Sequence, residues 1–332
     1  MSQTELQGRS LRAVAKSRGV LIGTCVAAYH LSDPQYAELA GSQFSLLEPE
    51  NEMKFQEVHP EPNRYDFGPA DEEVSFAKKN HMAVRGHTLV WYQQIARWAI
   101  DGHYTPTQLQ TILQDHIHTV VGRYKGVVKW WDVVNEALDD SGNLRSFLWS
   151  DKPGIGMGAR DKYIEAAFRW AHEADPSAKL FYNDYNIETV NAKSNALYAM
   201  LKDLKARGVP ISGLGFQCHL DFQFANQGAI DSFKENIERF KKLGLEIQFT
   251  ELDVRMRQGS EATFERQAWL YGQIVKLGLD EGVKLIQIWG ITDKYSWFQA
   301  TRNGEGWPLL WDDQYRPKPA LESVKEALAR KD

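Results

Sequence analysis

Short apolar runs alternate with longer amphipathic stretches along most of the chain. Eight of the apolar runs have the length and composition of buried strands: 20–26, 44–50, 83–89, 127–136, 179–185, 214–220, 245–251 and 283–290. Stretches with helical spacing lie between them, for example 106–124, 159–175, 230–244 and 264–282, and a last helix is predicted at 317–331. Gly244 and Gly282 stand where such helices commonly end. This alternation predicts βαβ units and a parallel sheet.

Eight strands joined by helical crossovers predict a (β/α)8 TIM barrel, and 332 residues fit one such domain with insertions. Length alone also allows two ordinary domains. No Gly/Ser-rich linker or low-complexity segment divides the chain, so residues 1–332 are predicted to form a single domain. The rival fold is a doubly wound sheet, which usually has a Gly-rich first turn that binds phosphate. Neither a GxGxxG motif nor a P-loop occurs in the sequence.

The net charge is −5 and basic residues form only short runs such as Lys241-Lys242, which disfavours nucleic acid and membrane surfaces as partners. The first residues lack the apolar stretch of a secretion signal, and no apolar run reaches membrane-spanning length, so a cytoplasmic location is expected. A chain whose signal had been removed would look the same. Cys25 and Cys218 form no CxxC motif and are expected to be buried, unreactive thiols. The helix surfaces predict no particular oligomeric state.

Two of the predicted strands end on a glutamate. The run 127–136 ends on Glu136, and the run 245–251 ends on Glu251. A buried carboxylate is costly unless it is paired or hydrogen-bonded. The two glutamates are therefore either structural ion-pair partners or a reactive pair.

Polar or aromatic residues stand at the end of almost every predicted strand, where the active site of a (β/α)8 barrel lies. They are Glu50, Asn51, Lys54, His87, Trp91, Asn135, Glu136, Asn183, Asp184, Gln217, His219, Glu251, Asp253, Trp289, Asp293 and Trp297. Each one alone is more often structural, and a lone histidine such as His87 is commonly a core residue with satisfied hydrogen bonds. Their concentration predicts a site, and the tryptophans suggest a surface that stacks on flat, weakly polar rings such as sugars or bases.

Two other chemistries have less support. A metal could use His87, His219, Glu251 and Asp253, but HxH and HExxH spacings are missing, and the abundant Asn, Gln and Trp are poor ligands for a catalytic transition metal. A serine or cysteine nucleophile is disfavoured because no GxSxG motif occurs and Cys218 has no evident activating partner. No metal and no other cofactor is therefore predicted.

Glycoside hydrolysis requires the residue types found at these strand ends. One carboxylic acid protonates the leaving oxygen, and a second carboxylate attacks the anomeric carbon or positions water. Asn and Gln side chains can hold sugar hydroxyls, and Trp faces can stack on pyranose rings.

The strand-end residues lie in segments that resemble glycoside hydrolase family 10, the endo-β-1,4-xylanases. The segments are PENEMK (49–54), RGHTLVW (85–91), WDVVNEA (131–137), NDYN (183–186), GFQCHL (215–220), TELDV (250–254), WGITDKYSW (289–297) and PLLWDDQYRPKPA (308–320). They occur in family order and span nearly the whole chain. The resemblance implies a (β/α)8 barrel and a retaining double displacement on β-1,4-linked xylose, with xylan or xylo-oligosaccharides as substrate.

The resemblance also implies a role for each matched residue. Glu136 is similar to the general acid/base and Glu251 to the nucleophile, and their carboxyl groups are expected to lie about 5–5.5 Å apart. Asn135 is similar to the residue that holds the 2-OH of the reacting sugar, and His219 and Asp253 to the residues that orient Glu251. The remaining matches imply substrate binding: Glu50, Asn51, Lys54 and Gln94 at the glycone sugars, His87, Trp91 and Gln217 around the reacting sugar, and Trp289 and Trp297 as an aromatic wall.

The sequence departs from the family pattern at four places. Tyr92 follows Trp91 where His is common, and the usual Pro before Trp98 is missing. Phe55 stands where the family more often has Trp. Phe298 follows Ser296-Trp297 at a position where the family often has Arg. None of these changes removes a catalytic group, but they affect the outer subsites and therefore the preferred chain length.

The absence of a visible signal and of a carbohydrate-binding module, together with two unpaired cysteines, resembles the intracellular branch of the family. The expected substrates are then imported short xylo-oligosaccharides. Two rival functions remain at this point: a sugar-binding protein without turnover, and a barrel glycosidase that cuts β-1,4-glucan.

Overall fold

Eight parallel strands close into a barrel in the computed structural model, which describes residues 6, 8–257, 261–298 and 305–330. The barrel strands are β1 (Leu21–Val26), β2 (Leu46–Pro49), β3 (Ala83–Val90), β4 (Val128–Asn135), β5 (Lys179–Asp184), β6 (Gly213–Phe216), β8 (Glu246–Arg257) and β9 (Leu285–Ile288). Each pairs in parallel with its neighbours, and the pairings of β9 with β1 and with β8 close the ring. The predicted (β/α)8 barrel is confirmed.

Helices surround this barrel. They are α1 (Leu11–Ser17), α2 (Pro34–Gln43), α3 (Phe55–Val58), α4 (Gly68–Lys79), α5 (Arg97–Asp101), α6 (Pro106–Arg123), α7 (Lys162–Ala174), α8 (Ala192–Ala206), α9 (Gln227–Lys241), α10 (Glu261–Asp280) and α11 (Pro319–Ala329). Short 3-10 turns lie at Ala28–Ser32, Phe222–Phe224 and Asp293–Tyr295. Apolar strand and helix side chains form one continuous core between the two layers.

The predicted strand 214–220 is two strands. β6 ends at Phe216, and a short strand β7 (His219–Asp221) begins after a break. The break follows from Cys218, whose backbone is left-handed, with a φ of 59°. β7 then pairs in parallel with β8 above the barrel, and β10 (Glu305–Gly306) pairs antiparallel with the end of β8.

Helix ends differ slightly from the prediction. α9 and α10 end at Lys241 and Asp280, before Gly244 and Gly282, whose φ angles are 74° and 78°. Both glycines therefore lie just beyond the helices, where a left-handed residue ends the turn. The last predicted helix begins at Pro319 and ends at Ala329; residues 331 and 332 lie outside the described range.

A polar cluster is buried inside the barrel below the strand ends. Its centre is Arg85 on β3, whose Nε lies 3.2 Å from Asp132 of β4 and 3.3 Å from Glu48 of β2. The Arg85 guanidinium also donates to Gln248 of β8, and Gln287 of β9 donates to Glu48 over 2.7 Å. All five side chains, here named the Arg85 cluster, are buried. Five different strands are thus joined by the ion pairs and hydrogen bonds of one buried cluster.

Both cysteines are buried and unpaired, as predicted. Among the described residues, no helix combines the length and apolar character that crossing a membrane requires.

Candidate active site

A cleft of about 610 Å³ opens at the carboxyl ends of the barrel strands. All of the residues to which the family resemblance gives a role line it except Asp253, which lies behind His219: Glu50, Asn51, Lys54, His87, Trp91, Gln94, Asn135, Glu136, Gln217, His219, Glu251, Trp289 and Trp297. The other strand-end residues, Asn183, Asp184 and Asp293, are not among its lining. The parallel topology accounts for this convergence, because it brings the carboxyl ends of all the strands to one face.

Glu251 lies within β8 and is almost fully buried, at 4% exposed. Its Oε1 accepts a hydrogen bond from Asn183 over 2.7 Å, and its Oε2 lies 2.9 Å from Nε2 of His219. Burial alone would raise the pKa of Glu251. The hydrogen bond from His219 and the charges of His87 and His219 outweigh burial, so the pKa lies below its usual value. Glu251 is therefore held as a carboxylate.

His219 is positively charged because each of its ring nitrogens faces a carboxylate. Nδ1 lies 2.9 Å from Asp253, and Nε2 lies 2.9 Å from Glu251. Carboxylate oxygens only accept, so both nitrogens donate. Burial lowers the pKa of His219, but the charge of Asp253 and the hydrogen bonds to both carboxylates raise it to about 10. The Trp297 indole donates to Asp253 over 2.7 Å and completes the chain.

Glu136 follows β4 directly and has a left-handed backbone, with a φ of 54°. Its carboxylate accepts from three neutral donors: Trp91 at 3.0 Å, Gln217 at 2.9 Å and Asn135 at 3.1 Å. Its own N–H donates to the carbonyl of Asn183 over 2.9 Å, which fixes the turn.

One amide network connects the two glutamates. Asn135 Oδ1 accepts from Asn183 over 3.0 Å and from Gln217 over 3.1 Å. Asn183 also donates to Glu251, and Gln217 also donates to Glu136. The positions of both carboxylates are therefore set by the same three side-chain amides.

The wall formed by the segment after β2 carries the residues predicted to bind the glycone. Asn51 Oδ1 accepts from Lys54 over 3.0 Å and from Gln94 over 3.2 Å. The Lys54 ammonium also lies 4.9 Å from the centre of the Trp91 ring. Burial raises the pKa of Glu50 to about 7, against the opposing charge of Lys54. This wall therefore presents hydrogen-bonding groups on a fixed frame.

A pair of buried carboxyl groups supports this wall from behind. Glu52 accepts the N–H groups of Ala28 and Asn51, each over 2.9 Å. Glu73 on α4 is fully buried, and no N–H or hydroxyl donor among the described residues reaches either of its oxygens. Its hydrogen-bond partner is Glu52. Two carboxyl groups bond only if one is protonated, and burial followed by the charge of Glu52 raises the pKa of Glu73 well above its usual range.

His87 lies at the floor of the cleft, next to the Arg85 cluster. Its Nδ1 is 3.0 Å from Asp132 and 3.3 Å from Glu48, and its ring meets the edge of Trp289 at 5.4 Å. In the described part of the chain, these three acidic and histidine side chains are close enough together to hold a metal ion. However, Arg85 already pairs with both carboxylates and offsets one of their two negative charges. Burial, followed by the charge of Asp132, raises the pKa of Glu48 well above its usual range, so a protonated Glu48 leaves little negative charge to attract a cation.

Several residues at the cleft had no predicted role. Asn183 was noted only as a strand end, although its amide contacts both Asn135 and Glu251. Five further side chains line the cleft: Tyr92, Gln93, Tyr185, Asn186 and Arg255. The NDYN segment, 183–186, was the available signal for Asn183, Tyr185 and Asn186.

The residues that depart from the family pattern lie toward the outside of the cleft or behind it. Tyr92 packs its ring under the guanidinium of Arg145, at 4.3 Å. Phe298 packs in the same way against Arg255, at 4.9 Å. Phe55 instead points into a buried aromatic group and stacks on His116 at 4.3 Å. The hydrogen bonds to the carboxyl groups of Glu136 and Glu251 come from other side chains.

A (β/α)8 barrel with two carboxylates in one polar, tryptophan-lined cleft is the arrangement of a glycoside hydrolase. The comparisons with known proteins specify the family: the model of glycosyl hydrolase family 10 matches residues 10–327, and this chain belongs to that family.

Relatives in the family are similar over nearly the whole chain. Endo-1,4-beta-xylanase B of Thermotoga neapolitana is 44% identical over 327 residues, which cover 97% of this chain and 92% of the relative. The crystal structure of xylanase 10B from Thermotoga petrophila in complex with xylobiose is 48% identical, with a TM-score of 0.91 over 97% of this chain and 98% of that one. A mutant of an intracellular xylanase from Thermoanaerobacterium saccharolyticum, solved with xylotetraose, is 36% identical, with a TM-score of 0.87 over 95% and 98% of the two chains.

Proposed function

We propose that this chain is a retaining endo-1,4-β-xylanase that hydrolyses β-1,4-xylosidic bonds of xylan or xylo-oligosaccharides by double displacement. The observation that carries the proposal is the unequal pair of carboxyl groups in one cleft: that of Glu251 is bonded to a charged imidazole, and that of Glu136, among the described residues, to neutral donors. The names of the relatives and the xylo-oligosaccharides bound in their structures support the same substrate.

In the first step Glu251 attacks the anomeric carbon while Glu136 protonates the leaving oxygen. The contacts of Glu251 support its role, because His219 and Asn183 keep it ionised and aimed into the cleft. A covalent glycosyl–enzyme ester forms, and the aglycone leaves with the proton from Glu136.

In the second step Glu136, now a carboxylate, removes a proton from water, and the hydroxyl oxygen attacks the anomeric carbon. The bond to Glu251 breaks, and the sugar leaves with its original β configuration. This sequence requires the two carboxyl groups to lie about 5–5.5 Å apart, which stays a prediction.

The other cleft residues have proposed roles in binding. We assign Asn135 to the 2-OH of the reacting sugar, and His219 and Asp253 to the orientation of Glu251. The remaining residues bind substrate: Glu50, Asn51, Lys54 and Gln94 the glycone sugars, His87, Trp91 and Gln217 the reacting sugar, and Trp289 and Trp297 its apolar face. Trp297 is 48% exposed, which leaves its ring available for stacking.

We also infer that residues 1–332 act as one catalytic domain on short xylo-oligosaccharides inside the cell. The family match over residues 10–327 and the similarity to the intracellular xylanase of Thermoanaerobacterium saccharolyticum support this. Finding the native protein mainly in the culture supernatant, with a processed N-terminus, would contradict the location.

The deciding experiment is proton NMR of xylohexaose digestion during the first minutes. We expect β-anomeric reducing ends to appear before α-anomeric ones. If α-anomers appear first, the substrate class stands and the covalent mechanism is wrong. If xylohexaose is not cleaved, the xylanase proposal is wrong.

A second measurement separates xylan from glucan as the substrate. Xylose lacks the C6 hydroxymethyl group of glucose, and we expect the surroundings of Lys54 and Trp297 to fit the smaller sugar. Release of the aryl group should therefore be much faster from an aryl β-xylobioside than from the matched cellobioside. Equal rates would contradict the preference for xylose.

A further inference from the structure

Tyr29 is the most exposed large hydrophobic side chain in the described part of the chain, at 67% exposed. It lies on the 3-10 turn Ala28–Ser32 that follows β1, so it stands at the same rim of the barrel as the cleft. Single exposed aromatic residues are common on protein surfaces. The contacts around Tyr29 decide whether this one belongs to the site.

The backbone beside Tyr29 is hydrogen-bonded to the wall formed by the segment after β2, which carries Glu50 and Asn51. The Glu52 carboxylate accepts the N–H of Ala28 with one oxygen and the N–H of Asn51 with the other, each over 2.9 Å. The N–H of Glu50 donates to the carbonyl of Val26 over 2.8 Å. The turn and the wall therefore form one rigid unit. The pKa of Tyr29 is raised first by burial and then by the charges of Glu50 and Glu52.

The Tyr29 ring is supported from behind by other rings. It contacts His30, with ring centres 4.0 Å apart, and His30 stacks on Tyr295 at 3.7 Å with an angle of 20° between the planes. The Tyr295 hydroxyl donates to Asp33 over 3.0 Å, and Asp33 also accepts from Tyr315 over 2.7 Å and from Lys294 over 2.9 Å. An exposed ring on such a support loses little conformational entropy when a ligand covers it.

The strand order places Tyr29 at one end of the cleft. In the ring of eight strands, β1 lies opposite β5, whose end carries Tyr185 and Asn186 at the cleft. The catalytic pair lies between these two rims, and Glu50 lies on the β2 side. Tyr29 does not line the enclosed part of the cleft, whereas Glu50, which follows the neighbouring strand β2, does.

We propose that Tyr29 is a platform for one further β-1,4-linked pyranose unit, on the non-reducing side of the sugars bound by Glu50, Asn51, Lys54 and Gln94. The apolar face of that sugar would lie on the tyrosine ring. This binding site rests on the proposed function, and it would make the chain favour substrates with three glycone sugars over those with two.

The test compares release of the aryl group from an aryl β-xylobioside and an aryl β-xylotrioside. The quantity measured is the ratio of kcat/KM for the trioside to kcat/KM for the bioside. We expect Tyr29→Ala to lower this ratio about fivefold, the size of one aromatic contact, and Tyr29→Phe to keep it. Trp269→Ala is the matched control, because Trp269 on α10 is also exposed, at 40%, and lies away from the cleft. It should leave the ratio unchanged.

An unchanged ratio in Tyr29→Ala would overturn the platform. So would an equal loss on both substrates, because that result indicates a structural role for Tyr29. If the unmodified chain releases the aryl group from neither xyloside, the proposed function is wrong and the platform with it. The wild-type rate on the bioside therefore separates the two failures.

Discussion

The two glutamates of the cleft occupy similar positions at strand ends but have different neighbours. Glu251 contacts a histidine that carries a positive charge, because both of its nitrogens face carboxylates. Among the described residues, the hydrogen bonds to the Glu136 carboxyl group come from the neutral N–H groups of Trp91, Gln217 and Asn135. A positively charged neighbour favours a group that must stay negative until it forms a bond. Neutral donors suit a group that must both release and accept a proton.

The backbone conformation also differs between Glu251 and Glu136. Glu251 lies within the strand β8, at a register shift between Phe249 and Leu252, and its N–H donates to the carbonyl of Gln217 over 3.0 Å. Glu136 instead lies just after β4 on a left-handed residue. The proposed nucleophile is thus presented from inside a strand, and the proposed acid/base from a turn. The comparison teaches that partners and backbone, rather than residue type, separate the two roles.

The largest effect is expected from Glu251→Ala, because it removes the group that forms the covalent bond. Hydrolysis should fall by at least about 10⁴-fold on all substrates, a scale typical of removing a nucleophile. Azide should restore turnover of an activated aryl xylobioside and give the α-glycosyl azide, identified by NMR. Substantial activity of this variant without azide would contradict the role of Glu251.

Glu136→Ala should have the next largest effect, and the effect should depend on the leaving group. Poor leaving groups need protonation, so their rates should fall by about 10²–10⁴-fold. Activated aryl groups need little protonation and should lose far less in bond cleavage. A plot of rate against leaving-group pKa measures this difference. If Glu136→Ala and Glu251→Ala lose activity equally on an activated substrate, the assignment of roles is wrong.

His219→Gln tests the charge difference directly. The variant keeps a neutral donor but removes the cation that lowers the pKa of Glu251. The acidic limb of the kcat/KM profile should therefore move to higher pH, with a loss of about 10- to 100-fold at the optimum.

Asp253→Asn gives the complementary measurement, because the charge of Asp253 is what chiefly raises the pKa of His219 to about 10. Loss of activity on the alkaline side should begin at a lower pH in this variant than in the unmodified chain.

The His219→Gln prediction has its own contradicting outcome. If the acidic limb of the kcat/KM profile does not move in His219→Gln, this histidine does not set the charge of Glu251.

The smallest effect is expected from a change at Glu73. This residue is a third kind of buried carboxyl group, because no N–H donor in the described structure reaches it. Its pKa is raised on folding, so the folded chain holds a proton that the unfolded chain releases. Its contribution to stability is complete below the ordinary glutamate pKa and is lost as pH rises toward the folded value. Glu73→Gln keeps a donor to Glu52 and has no proton to lose.

The thermal unfolding temperature of Glu73→Gln, relative to the unmodified chain, should therefore increase from pH 4 to pH 9. Glu72→Gln is the control, because the neighbouring Glu72 is exposed. A difference that stays constant with pH would show that Glu73 is already ionised in the folded chain.

The barrel and most of the cleft could be predicted from the sequence for one physical reason. Parallel strands linked by helices bring their carboxyl ends to one face, so residues at strand ends converge without any knowledge of packing. This reasoning brought Glu136, Glu251 and Gln217 together, although they are distant in sequence. The family resemblance implies that Asp253 orients Glu251; Asp253 lies 2.9 Å from Nδ1 of His219, and its role stays a prediction.

The features that sequence reasoning missed depend on local backbone and on three-dimensional packing. The break between β6 and β7 requires a left-handed backbone at Cys218. No glycine stands at this position to indicate such a backbone in the sequence. The link from Asn183 to Glu251 depends on which side of β5 its amide faces. The protonated state of Glu73 follows from the absence of donors around it, which a pattern of charged residues along a helix does not reveal.

The Arg85 cluster has a consequence for how the chain can be divided. Its partners come from β2 and β4 early in the sequence, and from β8 and β9 near the end. A half-barrel that stops after β4 lacks Gln248 and Gln287, and the complementary half lacks the cation at the centre. The two halves, expressed separately, should therefore fold only when mixed. A circular permutant opened between β4 and β5 keeps every partner and should fold alone.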